Sequence, residues 1–486
     1  MLHKKSKQIL RNIFSLTVGQ TLITILSFLS ITLAARFLGV ENFGRFNYLL
    51  AIVVIVSRVI DLGLSPIVFR ELSKDKNSFE LLNSAIILRF FAFVITVFFF
   101  VAILFFTGFS LTEILLANIL LFNTFISVKF IGFRELLDIP FKVNLKMHFP
   151  MLVAVTDNLL LLIAVILMPV LGGDLNFFII AYVVVNIPGF VIILLLLKKK
   201  MKYSFSFSSK HYKSLLLAAL PIYGFVILDV LYQQLDVILL KHFFDFYEIG
   251  IYSASLRLVV PLLFFPTALV HTFFPLINEN LQENPNQNGK IITFVFKVLI
   301  IAPFILFIIF VFKSEDFVIL IFGKEFIRAS NPTAILLLAQ TFVFFNYFMT
   351  NLTVAYSKQK WNFFFALYLL VSNFILNIFL IPYFNYEGAA FAKLLTTFTA
   401  SILAFVLIKK IGYTLNLINF RMIAWLSLIG CSLFVLSYLN VYSYLFISIA
   451  TIIISFLYSG VLDKNELIFL ANTFKVENAL RKLRVI

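Results

Sequence analysis

The chemistry open to this chain rests on a few charged and amide side chains set inside long apolar segments. LLLAALPIYGFVILDVLYQQLDVILLKHFF, from residue 215, carries Asp229, Gln233 and Asp236, and IYSASLRLVVPLLFFPTALVHTFFP, from residue 251, carries Arg257. A charge at the centre of a bilayer costs about 2.5–3.5 kcal/mol on insertion scales, so each of these is a functional candidate. The spacing i, i+4, i+7 puts Asp229, Gln233 and Asp236 on one face of a helix, which suits a wet or protein-lined cavity and not lipid. At 1.5 Å per residue, Arg257 and Asp229 lie at a matching depth, roughly 16 Å from the intervening loop, and are expected to pair.

Other intramembrane charges are few enough to weigh singly. Arg58 and Asp61 are spaced i, i+3, and two readings stand: mutual neutralisation on one helix, or a place in the cavity. Arg89 and Lys297 sit about 8 and 6 residues from the ends of their segments and are expected to snorkel toward headgroups, as is Lys393. Asp157 is mid-segment and cannot snorkel; a structural hydrogen bond and proton or cation coupling both fit it. Asn373 with Asn377, and Gln340 with Asn346, give polar faces suited to interhelical hydrogen bonds. His148 and His271 lack metal-ligand spacing, and no nucleophile, zinc, nucleotide or dinucleotide motif is present, so neither an enzyme nor a cofactor or metal site is expected.

The elements that must position these groups are membrane helices. Hydrophobic residues make up 62% of the 486 and charged residues 13%, against about 25% charged in soluble domains. Mean hydropathy is +1.04. The apolar runs are continuous, without the alternation of an outer-membrane barrel, so the spans are helical. The pattern predicts an all-α polytopic membrane protein with about fourteen spans, at 12–36, 44–65, 81–106, 111–131, 147–170, 175–197, 214–240, 248–274, 291–312, 331–355, 361–381, 387–408, 420–439 and 443–462. Cys431 is the single cysteine, which excludes an intrachain disulfide. The first apolar segment is of full spanning length, so it is expected to remain as a span and not to be cleaved as a signal peptide.

The net charge of +16 falls in short loops and not on a soluble basic face, so it speaks for topology and not for nucleic acid. Counting flanking residues with the adjacent loop, 28 Lys and Arg fall on the side of both termini and 6 on the other. The positive-inside rule therefore predicts both termini in the cytoplasm. The basic stretch KKKMKYSFSFSSKHYK, 198–213, is read as a cytoplasmic connector facing anionic headgroups.

That connector separates two similar halves. ARFLGVENFGRFNYLLA after span one matches KHFFDFYEIGIYSASLR after span seven, with Gly44 opposite Gly250. ILMPVLGGD likewise matches FLIPYFNYE, placing Pro169 opposite Pro382. Two six-span repeats in the same orientation predict lobes at 1–197 and 214–409 related by an axis along the membrane normal, with 410–486 supplying spans thirteen and fourteen and a cytoplasmic tail expected to form an amphipathic helix. Residues 313–330 are expected to form an interfacial turn or half-helix. Prolines at 150, 188, 221, 261, 266 and 303 are expected to bend their spans.

PIYGFVILDVLYQQLDVILL followed by EIGIYSASLRL, ARFLGVENFGRFNY with DLGLSPIVFRE, FVILIFGKEFIRAS and NFILNIFLIPYFNYEGAAFAKLLT together resemble the polysaccharide flippases of the multidrug, oligosaccharidyl-lipid and polysaccharide exporter superfamily. The resemblance covers almost the whole chain. It implies a central cavity between two six-helix lobes and movement of undecaprenyl-diphosphate-linked oligosaccharide from the inner to the outer leaflet of the bacterial cytoplasmic membrane. The partners it implies are the lipid-linked sugar, membrane lipids, and the glycosyltransferases and polymerase of the pathway.

On that reading Arg58 and Arg257 are the leading diphosphate candidates, with Arg89, Lys393, Gln233, Asn373 and Asn377 as further substrate contacts. The runner-up is a multidrug cation antiporter, in which Asp61, Asp157, Asp229 and Asp236 couple ions. A membrane polysaccharide polymerase or ligase is a third reading, against which stands the lack of a large external loop.

Overall fold

The computed structural model of the protein describes residues 2–75, 79–130, 132–201, 203, 205–206, 212–283, 285–358, 360–410 and 420–458. Among these residues there is no strand. A backbone crossing lipid has no water to bond to, so these apolar runs satisfy their amides within helices. In chain order the helices are α1 (Leu2–Asp61), α2 (Leu64–Lys74), α3 (Phe79–Phe106), α4 (Leu111–Ile126), α5 (Phe133–Val143), α6 (His148–Leu167), α7 (Leu175–Val184), α8 (Ile187–Met201) and α9 (Tyr212–Phe243). They continue as α10 (Phe246–Val259), α11 (Phe264–Glu283), α12 (Pro285–Val311), α13 (Ser314–Phe322), α14 (Ser330–Ala355), α15 (Lys360–Lys410), α16 (Phe420–Leu436) and α17 (Val441–Tyr458).

Nine helices among the described residues are long and apolar enough to cross a membrane, and three shorter apolar ones join them. α1 and α15, at 60 and 51 residues, each exceed one crossing and are broken, at Gly39 (φ 73°) and at Asn385 (φ 50°). Both breaks fall where loops were expected, and the set is consistent with fourteen crossings. Phe98, Phe106 and Ile103 on α3 are among many exposed apolar side chains, the surface a lipid-embedded helix presents.

Three spans that read as continuous in the sequence are interrupted, and a further one ends early. The second runs to Asp61, turns through Leu62 (φ 55°) and Gly63 (φ 66°), and resumes as α2. The fourth ends at Ile126, and residues expected as loop beyond 131 form the short helix α5; the sixth is split between α7 and α8 at Val185 and Asn186, and the eighth passes from α10 to α11 through a 3-10 turn at Val260–Leu263. Proline explains two of these: Pro188 sits in the first turn of α8 and Pro261 starts the 3-10 turn, positions where a missing N–H is tolerated. Gly63 supplies the left-handed turn of the second span, while Leu62 holds such a conformation at a cost of about 1–3 kcal/mol. Something must hold it there.

By packing, the described residues form two compact units, Met1–Arg257 with Asn377–Tyr386, and Leu258–Leu376 with Glu387–Ile486. In the first, α1 packs along α6, α9, α4 and α3. Leu64, Val68 and Leu72 of α2, Leu82 of α3, Leu136 and Ile139 of α5 and Leu215 of α9 join the short segments into one buried cluster. In the second unit a phenylalanine-rich core, with Phe273, Phe294, Phe296, Phe344 and Phe348, joins α11, α12 and α14. Phe317, Phe322 and Phe326 bury α13 and the 3-10 turn that follows it, giving the half-helix expected over 313–330. Tyr444 Oη donates to the Ile309 carbonyl (2.8 Å), fastening α17 to α12. The expected tail helix falls on residues outside those described.

Candidate functional site

The interruptions of the first unit gather its buried charges. Arg89 on α3 is fully buried, which corrects the expectation that it snorkels. Its guanidinium donates to the carboxylate and to the backbone carbonyl of Asp61 at the broken end of α1, to Ser65 Oγ (2.8 Å) in the first turn of α2 and to the Gly132 carbonyl (2.6 Å) just before α5. Ser65 Oγ in turn donates to Glu135 (2.8 Å) on α5. One side chain thus satisfies the orphan carbonyls of two broken spans and holds the turn at Leu62. Asp61 has Arg89 as its ionic partner, and the i, i+3 pair with Arg58 is not formed. Nε and Nη1 of Arg58 are buried without a hydrogen-bond partner, and among the described residues no carboxylate pairs with it.

A second centre lies where α4–α5 and α7–α8 break side by side. Asp157 on α6 is buried and accepts from Arg134 Nη1 (2.5 Å), which also reaches the Ile126 carbonyl (3.4 Å). Asn186, at the α7–α8 interruption, donates to Asn123 Oδ1 (3.2 Å) and accepts from Ser127 Oγ (3.2 Å), so amides knit the two breaks together. The Lys129 ammonium lies 4.3 Å from the centre of the Tyr182 ring.

The third centre is a close helix crossing. A Cβ on Gly44 of α1 would run into the Phe246 carbonyl of α10, and one on Gly250 into the Val40 carbonyl, so only glycine permits this approach. The two glycines matched by the repeat meet here. One turn away from Gly44, Asn47 Oδ1 accepts from Arg257 Nη2 (3.2 Å). The expected pair of Arg257 with Asp229 is therefore not formed; Asp229 is exposed and accepts from Gln233 Nε2 (2.7 Å). The depth estimate said nothing of rotation about the two helices.

Asp236 leaves the shared face as well, being buried while Asp229 and Gln233 are exposed. Its carboxylate accepts from Tyr252 Oη (2.7 Å) and from Asn377 Nδ2 (2.8 Å). Asn373, one turn earlier on α15, is fully buried. In the second unit Asn346 donates to the Thr397 carbonyl (3.0 Å) and accepts from Ser401 Oγ (3.0 Å), the interhelical role expected of it. Lys393 is half-buried there, and Lys297 is 7% exposed, too deep for the snorkelling expected of it. Among the described residues no group of three or more His, Cys, Asp or Glu side chains could hold a metal ion.

Sequence reasoning missed Arg134, Lys129 and Asn47. Arg134 lies beyond the end set for the fourth span at 131, and Lys129, two residues inside that end, was counted with it among the flanking loop charges. Outside the spans, Tyr203 of the connector donates to Asn83 Oδ1 and packs edge-on against Phe79 (5.3 Å), and burial pushes its phenol up to about 12.

Comparison with known proteins supplies context for this arrangement. The profile of a family described as polysaccharide biosynthesis protein matches residues 9–281. The capsular polysaccharide biosynthesis protein CapF of Staphylococcus aureus is 23% identical over 410 residues, covering 82% of this chain and 99% of that protein. Among solved structures, lipid II flippase MurJ in an inward closed conformation superposes with a TM-score of 0.72 at 18% identity, over 93% of this chain and 99% of that one. A multidrug resistance MATE family transporter of the MOP superfamily, inward-facing, gives 0.62 at 14% identity, over 82% and 97%. At these identities the structural likeness concerns the fold.

Proposed function

The chain belongs to the polysaccharide biosynthesis protein family, and from that premise we propose that it is a flippase moving an undecaprenyl-diphosphate-linked oligosaccharide from the inner to the outer leaflet of the cytoplasmic membrane. One observation carries the reading: two arginines of the first unit stand without a carboxylate contact. Asp61 and Asp157 are each paired with an arginine, whereas among the described residues Arg257 meets the neutral oxygen of Asn47 and Arg58 has no carboxylate partner. Each of these two guanidiniums keeps a positive charge that no carboxylate offsets by direct contact. A diphosphate leaving water for a low-dielectric layer needs such groups in place of its hydration, and planar guanidinium forks fit phosphate oxygens two at a time. A cationic drug would meet repulsion there.

Gln233, Asn373 and Asn377 are proposed as sugar contacts, Lys393 as a further cation, and Arg89 as a structural hub and not a ligand. Asp236 and Asp229 are the carboxylates proposed to couple a cation or proton to transport. The lobes 1–197 and 214–409 are proposed to rock about the cavity in alternating access, with both termini in the cytoplasm and no covalent bond made or broken. Neighbours of stated function bear on this by analogy alone, MurJ toward lipid-linked sugars and the MATE transporters toward drugs.

The test is transport by the purified full-length protein in liposomes, with a fluorescent lipid-linked oligosaccharide in one assay and a cationic dye in another. Movement of the lipid-linked sugar, cut roughly tenfold or more in Arg257→Gln, is expected, since a charge-assisted hydrogen bond contributes about 1.5–3 kcal/mol. Dye efflux without lipid movement would overturn the reading in favour of the drug antiporter.

A further inference from the structure

Lys129 occupies the interruption between α4 and α5, where its backbone N–H donates to Ser127 Oγ (3.1 Å). The Nζ is buried and makes no hydrogen bond. An ammonium carries three donors, and the Tyr182 ring face attracts its charge without accepting those donors as an oxygen would. Asp157 gives one oxygen to Arg134, while its Oδ1 is buried without a hydrogen bond. Tyr182 packs edge-on against Phe46 (5.5 Å), the residue before the Asn47 that holds Arg257. Lys129, on the Tyr182 ring, and Arg257, on the residue next to Phe46, thus flank one aromatic pair.

We propose that Lys129 and Arg257 form a two-cation site for a diphosphate, the Tyr182 ring being where the Lys129 ammonium rests when no anion is bound. The proposal rests on the flippase reading and adds to it a residue from an interrupted span. Broken spans in transporters place side chains and backbone groups of the break at the ligand, because irregular backbone is tolerated at that depth only where protein or water surrounds it. The unsatisfied donors of Lys129 would take phosphate oxygens, one cation serving each phosphorus centre.

The experiment measures binding of undecaprenyl diphosphate and of undecaprenyl monophosphate to the full-length protein in nanodiscs, alongside its thermal unfolding. Lys129→Met keeps an unbranched chain over the ring, where sulfur–aromatic contact replaces the cation. It is expected to weaken diphosphate binding roughly ten- to a hundredfold and monophosphate binding much less, at unchanged unfolding temperature. Lys129→Arg should restore most of the loss. Lys129→Gln, read in the same way, serves if the Met variant does not fold. Unchanged diphosphate binding in Lys129→Met, with a clear loss in Arg257→Gln, would overturn the two-cation site and leave the flippase reading intact. Unchanged binding in both would remove that reading as well. A fall in unfolding temperature shared by Lys129→Met and Tyr182→Leu, with no change in binding, would make the contact a structural clasp and also overturn the site.

Discussion

Arg89 shows how one residue decides whether a broken span holds. Its donors serve the Asp61 carboxylate and carbonyl, Ser65 and Gly132, all within a fully buried pocket. Removing one partner of a buried pair leaves an uncompensated charge, which costs about 3–5 kcal/mol. Arg89→Met is thus expected to lower the unfolding temperature in detergent sharply. Arg89→Met with Asp61→Leu should recover only part of it, because the Gly132 carbonyl keeps its need for a donor. Full recovery would show that the ion pair alone matters and that the capping of the breaks does not. At this scale the sequence was partly legible: Arg89 and Asp61 stood out as charges in apolar runs, yet their pairing did not. Distance along its own helix suggested an escape to headgroups for Arg89, whereas its partners come from two interruptions on other spans.

Helical elements were legible where composition alone decides them and obscure where tertiary packing does. Long apolar runs announced the spans, and the glycines matched by a shift between halves proved to touch, Gly44 against the α10 backbone and Gly250 against Val40. Two interruptions fall at Pro188 and Pro261, where a bend was expected, whereas those at Gly63 and Gly132 were hidden because the buried acceptors and donors that stabilise them lie elsewhere in the chain. The Gly44–Gly250 crossing has a consequence for motion. If it closes one end of the transport path, a side chain at Gly44 wedges it open. Tyr48, whose ring lies 5.8 Å from Phe246, reports on this. In a Cys431→Ser background, Tyr48→Cys is expected to react several-fold faster with an impermeant thiol reagent when Gly44→Val is added, with transport strongly reduced. An unchanged labelling rate in a folded Gly44→Val protein would mean that the crossing does not gate access.

For the whole molecule, the decisive quantity is the distribution of its +16 charge. A basic loop on the outer side would have to cross the bilayer during insertion and would then sit against the membrane potential, about 2.3 kcal/mol per charge for each 100 mV. With 28 Lys and Arg on one side and 6 on the other, the inverted topology is disfavoured by many such charges. The 198–213 connector concentrates the effect, and Tyr203 and Ser206 of that stretch bond to Asn83 at the start of α3, close in the chain to the end of α2 that carries Arg70 and Lys74. Both segments must therefore lie on one side. In a Cys431→Ser background, Phe205→Cys, at an exposed connector position, and Asn465→Cys in the tail are expected to resist an impermeant thiol reagent in intact cells and to react after permeabilisation. Tyr383→Cys, at the highly exposed break of α15, should react without permeabilisation, since an odd number of crossings separates it from the amino terminus. Labelling of the connector and the tail in intact cells, with Tyr383→Cys protected, would invert the topology and place the cationic loops outside. The proposed direction of transport would then lose its support, because the anionic headgroup would meet those loops only on arrival.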